Sequence, residues 1–572
     1  MLGSTTLLVF GLIAAADAAL YDSLSAGGKK VFDDAMTVNE MYYDPVEGYV
    51  YGIDVAGIHD TRASAMWAVG LLARNGGNGD DVERAVRIIE SVASQQYVDN
   101  ATAAWYGTYP HTPQDPLPGT SLLGTTPYSS YDPNWRDFIG SAWLLALEES
   151  GNLLSNDTVT AIEQSLYHVG KGQLLRYQGR GEYANSVDVD TSVDNLDAAY
   201  TNPWLMGTIV MSYIGNKMND TELINKANDD AQAIYDLFTF NDFNTFSEYN
   251  CPTYTGVDIF ALALWIRYGP EGTKLQEYGT YMLNHTIADL ADFYHADLRN
   301  LAGPWDRTYG FDMTRYHSIL GQLISSLLPA EKIAVPSPIL TGLHMNDAVC
   351  FGTIMPLIAD TIHSVVGQDV IDRFASFDSS VERDVVYRQV RTNTEDETAI
   401  RNVSVWLGPN VTIGGQSSDE PSPRQSSYVP GVIQWLLPST LYPNARISSS
   451  TPPKVGYIAI SPPPSGTINA TASANTLTIS LPLSERWGDC TLPTSISFAV
   501  GGFDERTSGA DMTKGLEGVP GLNVTVETVG LGEQATTYDQ DGDNDFYFFD
   551  VTYPVSSEWP TVPSITITVQ PV

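Results

Sequence analysis

Cysteine is almost missing from this chain: its 572 residues include only Cys251, Cys350 and Cys490. Three thiols form at most one bridge and leave at least one over, so no disulfide framework holds the fold. A buried thiol then serves as a small apolar group. No Cys or His spacing suits zinc. Positive charge is also scarce, with 29 Lys and Arg against 68 Asp and Glu, a net charge of −39 at pH 7. Nucleic acid and anionic membranes both need Lys/Arg-rich faces, so neither is an expected partner. A long polyanion is repelled by the same summed field. No apolar run reaches the roughly 18 residues that mark a membrane span, and no fixed-period repeat supports a helical solenoid.

What is present points to export. Leu7 to Ala16 form a short apolar run, and Ala16-Asp17-Ala18 offers small residues where a signal peptidase reads, so residues 1–18 are expected to be a signal peptide. Acceptor sequons lie at Asn100, Asn156, Asn219, Asn284, Asn402, Asn410, Asn469 and Asn523. Eight of them behind a signal segment read as glycosylated surface positions. The mature chain is expected to be a soluble, secreted, extracellular monomer.

Two textures divide the rest, and the length suffices for two full cores. Through residue 375, apolar residues recur at helical spacing, as in Val82, Ala85, Val86, Ile89 and Ala93. Similar patterns near 21–42, 62–74, 134–149, 156–176, 195–216, 220–238, 255–267, 275–287 and 313–328 give about ten helices, with Asn156 and Asp220 as caps. Long Gly/Pro/Tyr/Asn-rich stretches at 100–133, 177–194 and 239–254 separate them, and such loops usually carry function. From 376 to 572 the pattern alternates with β-branched residues, as in Leu477 to Leu481, Ile496 to Val500 and Ile565 to Val569. Further strands are expected at 385–387, 403–406, 524–526 and 546–553. The fold class is thus multidomain: a helical domain over 19–375, shaped as a ring of hairpins around a cleft, then an antiparallel β-sandwich-like domain.

Chemistry-bearing residues crowd the loops of the helical half. His59-Asp60-Thr61-Arg62 opens one helix, Asp132 to Arg136 another and Tyr200-Thr201-Asn202-Pro203-Trp204 a third. The densest segment runs from Phe246 to Asp258 and carries Glu248, Asn250, Cys251, Tyr254 and Asp258 directly ahead of a helix. Neither propensity nor capping requires that density, whereas a polar cleft does. His295 and the stretch Gly303 to Asp312 add Trp305, Arg307 and Tyr309, with Arg307 suited to gripping a carboxylate. The candidate catalytic residues are Asn202, Glu248, Tyr254, Asp258, Arg307 and Tyr309. The candidate substrate contacts are His59, Trp135, Asn250, Trp305 and His295.

The hairpin run, the segment Glu248-Tyr249-Asn250-x-Pro252-Thr253-Tyr254 and the segment Gly303-Pro304-x-x-Arg307-x-Tyr309-Gly310 resemble six-hairpin glycosidase-like (α/α) toroids. Val405-Trp406-Leu407-Gly408-Pro409, Thr412-Ile413-Gly414-Gly415 and Gln434-Trp435 are similar to the β-domain that follows the toroid in heparinase-like and alginate-lyase-like enzymes. The resemblance implies a polysaccharide lyase that cleaves uronate-containing glycans by β-elimination. Asn202 or Arg307 would neutralise the sugar carboxylate, and Tyr254, Tyr309, His59 or His295 would act as base and acid. A tyrosine base needs its pKa lowered, which Arg307 is expected to do. The acidic charge favours exo action on a lightly charged glycan.

Two other chemistries fit the same residues. A glycoside hydrolase needs two carboxyl groups, and Glu248 with Asp258 is the natural pair, with Asp60, Asp197 and Asp312 in reserve. A dehydratase, isomerase or cyclase for a small apolar molecule would instead line its pocket with Trp105, Trp135, Trp204 and Trp305. No cofactor is expected. One acidic run, Asp539-x-Asp541-Gly542-Asp543, has oxygen ligands suited to Ca²⁺, although such a run is more often a charged surface turn.

Overall fold

The computed structural model describes residues 20–53, 57–183, 196–316, 318–337, 345–381, 383–392, 397–418, 428–441, 453–461, 468–482, 493–541, 546–557 and 561–572. The signal segment, Cys490 and Asp543 of the acidic run lie outside them. Among the described residues no three His, Cys, Asp or Glu gather as a metal site, and no helix is long and apolar enough to cross a membrane. Cys251 and Cys350 are buried free thiols.

The N-terminal half is a closed double ring of helices. The inner ring consists of α2 (Thr61–Arg74), α4 (Trp135–Ser150), α6 (Thr201–Met218), α8 (Thr255–Tyr268), α10 (Ile319–Leu327) and α11 (Met345–Phe351), each packed on the next and α11 closing onto α2. Outside them lie α1 (Ala26–Tyr42), α3 (Asp81–Ser94), α5 (Asn156–Tyr183), α7 (Thr221–Phe238), α9 (Leu275–Phe293), α12 (Ala359–Val365) and α13 (Gln368–Ala375). The sequence distinguishes the two layers. Every residue of α8 from Thr255 to Trp265 is buried, as a helix that is apolar all round must be, whereas α3 buries one stripe built on Ala85, Ile88, Ile89 and Val92. Gly256 lets α8 approach α10, since a Cβ there would sit 2.9 Å from the Leu320 amide nitrogen. The three short helices from Met345 to Ala375 escape a periodicity reading that needs about eleven residues. Asp220 caps α7 as expected. At α5 the expected cap, Asn156, is already the first helical residue, and the Ser155 hydroxyl accepts from the Thr158 amide instead.

The C-terminal half is a curled antiparallel sheet of twelve strands. From edge to edge the order is Leu522–Val529, Ser564–Pro571, Thr476–Ser480, Asn469–Ser473, Val411–Ser418, Gly431–Leu436, Val455–Ser461, Ser495–Gly501, Phe546–Pro554 and Ala535–Asp541. Ile400–Gly408 also pairs with Val411–Ser418 and carries Val386–Arg391 on its other side. Inward residues such as Trp406, Ile433, Trp435, Ile479, Phe498, Val551 and Ile567 form its core. Burial of each contributes about 1.5–3 kcal/mol. The Gly414-Gly415 pair lies in mid-strand. A Cβ on Gly414 would fall 1.6 Å from the Gly303 carbonyl oxygen, so glycine is what lets the sheet rest on a toroid loop. The molecule is therefore an (α/α) toroid followed by an antiparallel β-sandwich-like domain.

The two halves are joined by directed contacts. Trp305 and Val429 exchange both backbone hydrogen bonds, at 3.0 and 2.9 Å. Gln434 Nε2 donates to the Phe311 carbonyl at 2.8 Å. Arg388 pairs with Asp289 and Asp292 of α9. Of the sequon asparagines, Asn100, Asn156, Asn219, Asn284, Asn402, Asn410 and Asn523 are exposed and Asn469 is half-buried.

Candidate active site

One end of the inner ring gathers helix N-termini. Asp60 caps α2, its carboxylate accepting from the Ala63 amide. Asn134 precedes α4, Tyr200 precedes α6 and Tyr254 precedes α8. Pro203 lies in the first turn of α6, where its missing N–H costs nothing, so it starts the helix rather than kinking it. The rim thus carries the partial positive field of several helix N-termini, which favours anions.

Five of the six candidate catalytic residues meet there, and Asp258 lies just beneath them in the first turn of α8. Asn202 donates to Glu248 Oε2 at 3.3 Å. Arg307 stands 3.6 Å from Glu248 Oε1. It donates to the Tyr309 hydroxyl at 2.8 Å and lies over the Tyr254 ring at 4.2 Å. The two phenol oxygens are 3.0 Å apart. Arg307 is 20% exposed and the three flanking tyrosines, Tyr200, Tyr254 and Tyr309, are half-buried. Glu248, 3% exposed, lies behind them, and its Oε1 has no hydrogen-bond partner.

Burial dominates the proton affinities. It lifts the Glu248 pKa from 4.5 to about 7 against the pull of Arg307. It also raises Tyr254 well above its ordinary value and lifts Tyr309, while Tyr200 reaches about 12. Arg307 opposes all three rises without reversing them, so the expectation of a tyrosine made acidic by Arg307 is corrected. These phenols stay protonated and donate. Asp258 is 0% exposed, neither of its oxygens reaches a donor, and burial first and Glu248 second push its pKa well up. Its enclosure leaves it no face for a substrate, so the expected Glu248–Asp258 pair does not flank an open cleft as a hydrolytic couple must.

Several contacts are not evident in the sequence. Asn134 donates to the Tyr200 hydroxyl at 3.0 Å while its own oxygen accepts from Arg176 at 3.0 Å. Arg62 pairs with Asp347 at 2.7 Å and lies 4.5 Å over Trp135, whose indole N–H donates to Thr61. His111 packs on Trp135 at 4.6 Å. Position at an inner-helix N-terminus is the signal that marks Asn134, Tyr200 and Arg62.

The loops that carry the site are braced from the sheet. Arg401 of Ile400–Gly408 binds both the Asp306 carboxylate and the Ser247 carbonyl. Ser247 Oγ donates to the Arg391 carbonyl at 2.7 Å. Glu248 and Arg307 each stand one residue from that guanidinium's partners.

Other candidates lie elsewhere, for stated reasons. Trp305 is fully buried where toroid meets sheet, so it offers no stacking face. His295 is buried there too, hydrogen-bonded to the Gly408 carbonyl at 3.0 Å and stacked on Phe377 at 3.8 Å. Burial lowers its pKa to about 4. Asn250 donates to the Ala302 and Pro304 carbonyls and shapes the loop. His59 is buried between Asp44 and Gln114, stacked on Tyr51. Trp135 alone of the substrate-contact candidates borders the cluster. The four tryptophans share no wall, since Trp204 donates to the Asp230 carbonyl and Trp105 packs on Tyr131 and Gly119. An apolar pocket built from them is therefore absent.

Residues 29–360 match a family described as a domain of unknown function (DUF8769). The chain belongs to that family. Residues 383–570 match a second domain of unknown function (DUF8770), and no curated protein matches the chain in sequence. Among solved structures, heparinase III is similar over 96% of this chain and 85% of its own, at 9% identity and a TM-score of 0.42. The endoglucanase CelQ from Clostridium thermocellum, complexed with cellotriose, is similar over 96% and 93% at 11% identity and a TM-score of 0.24. A mutant of the heparan sulfate lyase HepC from Pedobacter heparinus is similar over 91% and 92% at 9% identity and a TM-score of 0.18.

Proposed function

We propose that this chain is a secreted carbohydrate-active enzyme that cleaves a lightly charged, uronate-bearing glycan by β-elimination, acting from the chain end. The observation that carries the reading is the setting of Arg307. Its guanidinium reaches solvent among three uncharged phenols, with Glu248 3.6 Å behind it. A positive charge presented between neutral groups suits a sugar carboxylate, and the helix N-termini around it add to the same field.

In this mechanism Arg307 and Asn202 draw negative charge onto the sugar carboxyl group, which acidifies the C5 proton. Glu248, whose pKa of about 7 is matched to neutral pH, takes that proton once ionised. The C4–O bond breaks, a C4=C5 double bond forms, and Tyr254 or Tyr309 protonates the leaving oxygen. Support for export comes from the exposed sequon asparagines.

A hydrolytic reading has one observation in its favour. Protonated Glu248 is a ready general acid, and Asp347, whose charge acts on both Tyr254 and Tyr309, is a second carboxylate near the same phenols. Incubation with uronate-bearing and neutral glycans separates the two. Ultraviolet absorbance from an unsaturated uronate marks elimination, and new reducing ends without it mark hydrolysis. Silence on both sets overturns the carbohydrate reading.

A further inference from the structure

One acceptor asparagine differs from the rest in where it stands. Asn402 lies within the strand Ile400–Gly408 and lines a groove of about 490 Å³ at the seam between the two halves. Asp242 and Phe243 form the toroid side of that groove, and Tyr387 and Gln389 the sheet side. None of the other seven sequon asparagines lines it.

Strand alternation decides which groups meet there. Gln389 stands directly opposite Asn402, so the two share a face, and Tyr387 lies two residues along on that same face. The neighbours of Asn402 point the other way, Arg401 to Asp306 and Val403 into the core shared with the toroid. Tyr387 is 67% exposed. Gln389 and Asn402 are exposed too, and Phe243 is half-buried. The loop that carries Phe243 curls tightly, with Asn241, Asp242 and Asn244 at left-handed φ of 49°, 60° and 55°, which Asn and Asp tolerate best after Gly. Thr245 Oγ1 pins this loop to the sheet by donating to the Gln389 carbonyl at 3.1 Å. Gln389 Nε2 donates to Asn402 Oδ1 at 2.9 Å and so orients the amide. The Asn402 Nδ2, the atom that an acceptor asparagine gives to a sugar, has no hydrogen-bond partner among the described residues.

The lining suits the first sugars of an N-linked glycan. An N-acetylhexosamine is uncharged, packs its C–H face on aromatic rings, and both donates and accepts through its acetamide and hydroxyls. Phe243 and Tyr387 offer rings, Gln389 an amide and Asp242 an accepting carboxylate. The volume falls within the roughly 300–1,000 Å³ of clefts that enclose a small ligand. A covalent tether keeps the local concentration of the sugar high, so weak contacts suffice to seat it.

We propose that Asn402 is glycosylated and that its glycan core seats in this groove, clamping sheet to toroid over the loop that runs from Phe243 to Glu248. The inference rests on the export reading and takes nothing from the proposed reaction. Ser404, the third residue of the sequon, is buried, and its hydroxyl accepts from the Ala472 amide at 2.8 Å. The sugar must therefore be joined before the sheet closes. In that step Asn402 Nδ2 forms a C–N bond to the anomeric carbon of a sugar carried on a lipid diphosphate. The bond from that carbon to the diphosphate oxygen breaks, and the amide proton leaves with the diphosphate. Oδ1 stays free to accept from Gln389.

The test is site-specific glycopeptide mass spectrometry on the full chain, produced by eukaryotic cells with its own leader, before and after an endoglycosidase that cuts within the glycan core. Asn402 should be occupied. Its glycan should be released from the folded chain about tenfold more slowly than from the heat-denatured chain, and more slowly than glycans on the other sequons of the folded chain. Tyr387→Ala leaves the sequon intact and should remove most of that protection. Three results overturn the inference and leave the export reading in place: glycans elsewhere but none on Asn402, release from folded Asn402 as fast as from the denatured chain, or a Tyr387→Ala chain as protected as wild type. A chain with no glycan on any sequon overturns the export reading as well. The β-elimination is tested on other substrates, so it stands or falls separately.

Discussion

The toroid rim and the sheet edge break the usual division of inside and outside in opposite ways. At the rim, Glu248, Asn202 and Asp258 are polar and buried. At the edge, Tyr538 and Tyr547 are aromatic and exposed. A buried polar group costs stability unless it is paired, so the rim holds its acids only because the ring of helices around them is thoroughly packed. An exposed ring costs little by itself, so the edge needs no such frame. Change at the rim should therefore move both activity and stability, whereas change at the edge should move neither.

The largest expected effect is on catalysis. Glu248→Gln keeps the shape and removes the titrating group, and should lower kcat by about 10²–10⁴-fold while raising Tm above pH 7, measured by product assay and thermal scan. Next comes the brace. Arg401→Ala leaves Asp306 buried without its cation and should cost about 3–5 kcal/mol in denaturant unfolding, with loss of activity as the two loops separate.

Smaller effects follow from pH. Glu248 binds its proton more tightly folded than unfolded, so its stabilising contribution is full below pH 4.5 and is lost as pH rises through about 7. The rate should rise over the same interval, and Glu248→Gln should flatten both profiles. His295 has the opposite sign. Its folded pKa of about 4 lies below 6.5, so its contribution is present above pH 6.5 and is lost as pH falls toward 4. His295→Gln should reduce that acid lability in melting curves. The smallest effect is at the edge, where Tyr538→Ala should change unfolding free energy by no more than about 0.5 kcal/mol.

The sequence makes the ring of helices legible because inner helices such as α8 are apolar all round while α3 and α7 carry one apolar stripe. Five further strands, Val411–Ser418 among them, do not stand out. Gly414-Gly415 lack the β-branched side chains by which the other strands are read. At the rim, density of polar residues near 246–258 draws attention to Glu248 and Tyr254. It does not separate them from Asn250, which only shapes the backbone. Trp305 and His295 mislead for a related reason. A residue buried where two domains meet has the same composition as one lining a cleft, and only the partner surface tells them apart. Arg62–Asp347 and Asn134–Tyr200 are contacts between distant segments, with no local trace beyond their helix-start positions.

One consequence follows from the guanidinium of Arg401. The toroid and the sheet match separate families, yet the spacing of Glu248 and Arg307 is fixed by a side chain from the second holding groups of the first. The two halves are not interchangeable modules. A truncated toroid would keep its rings but not its reaction geometry, and a grafted C-terminal half would have to bring its own cation to the same point.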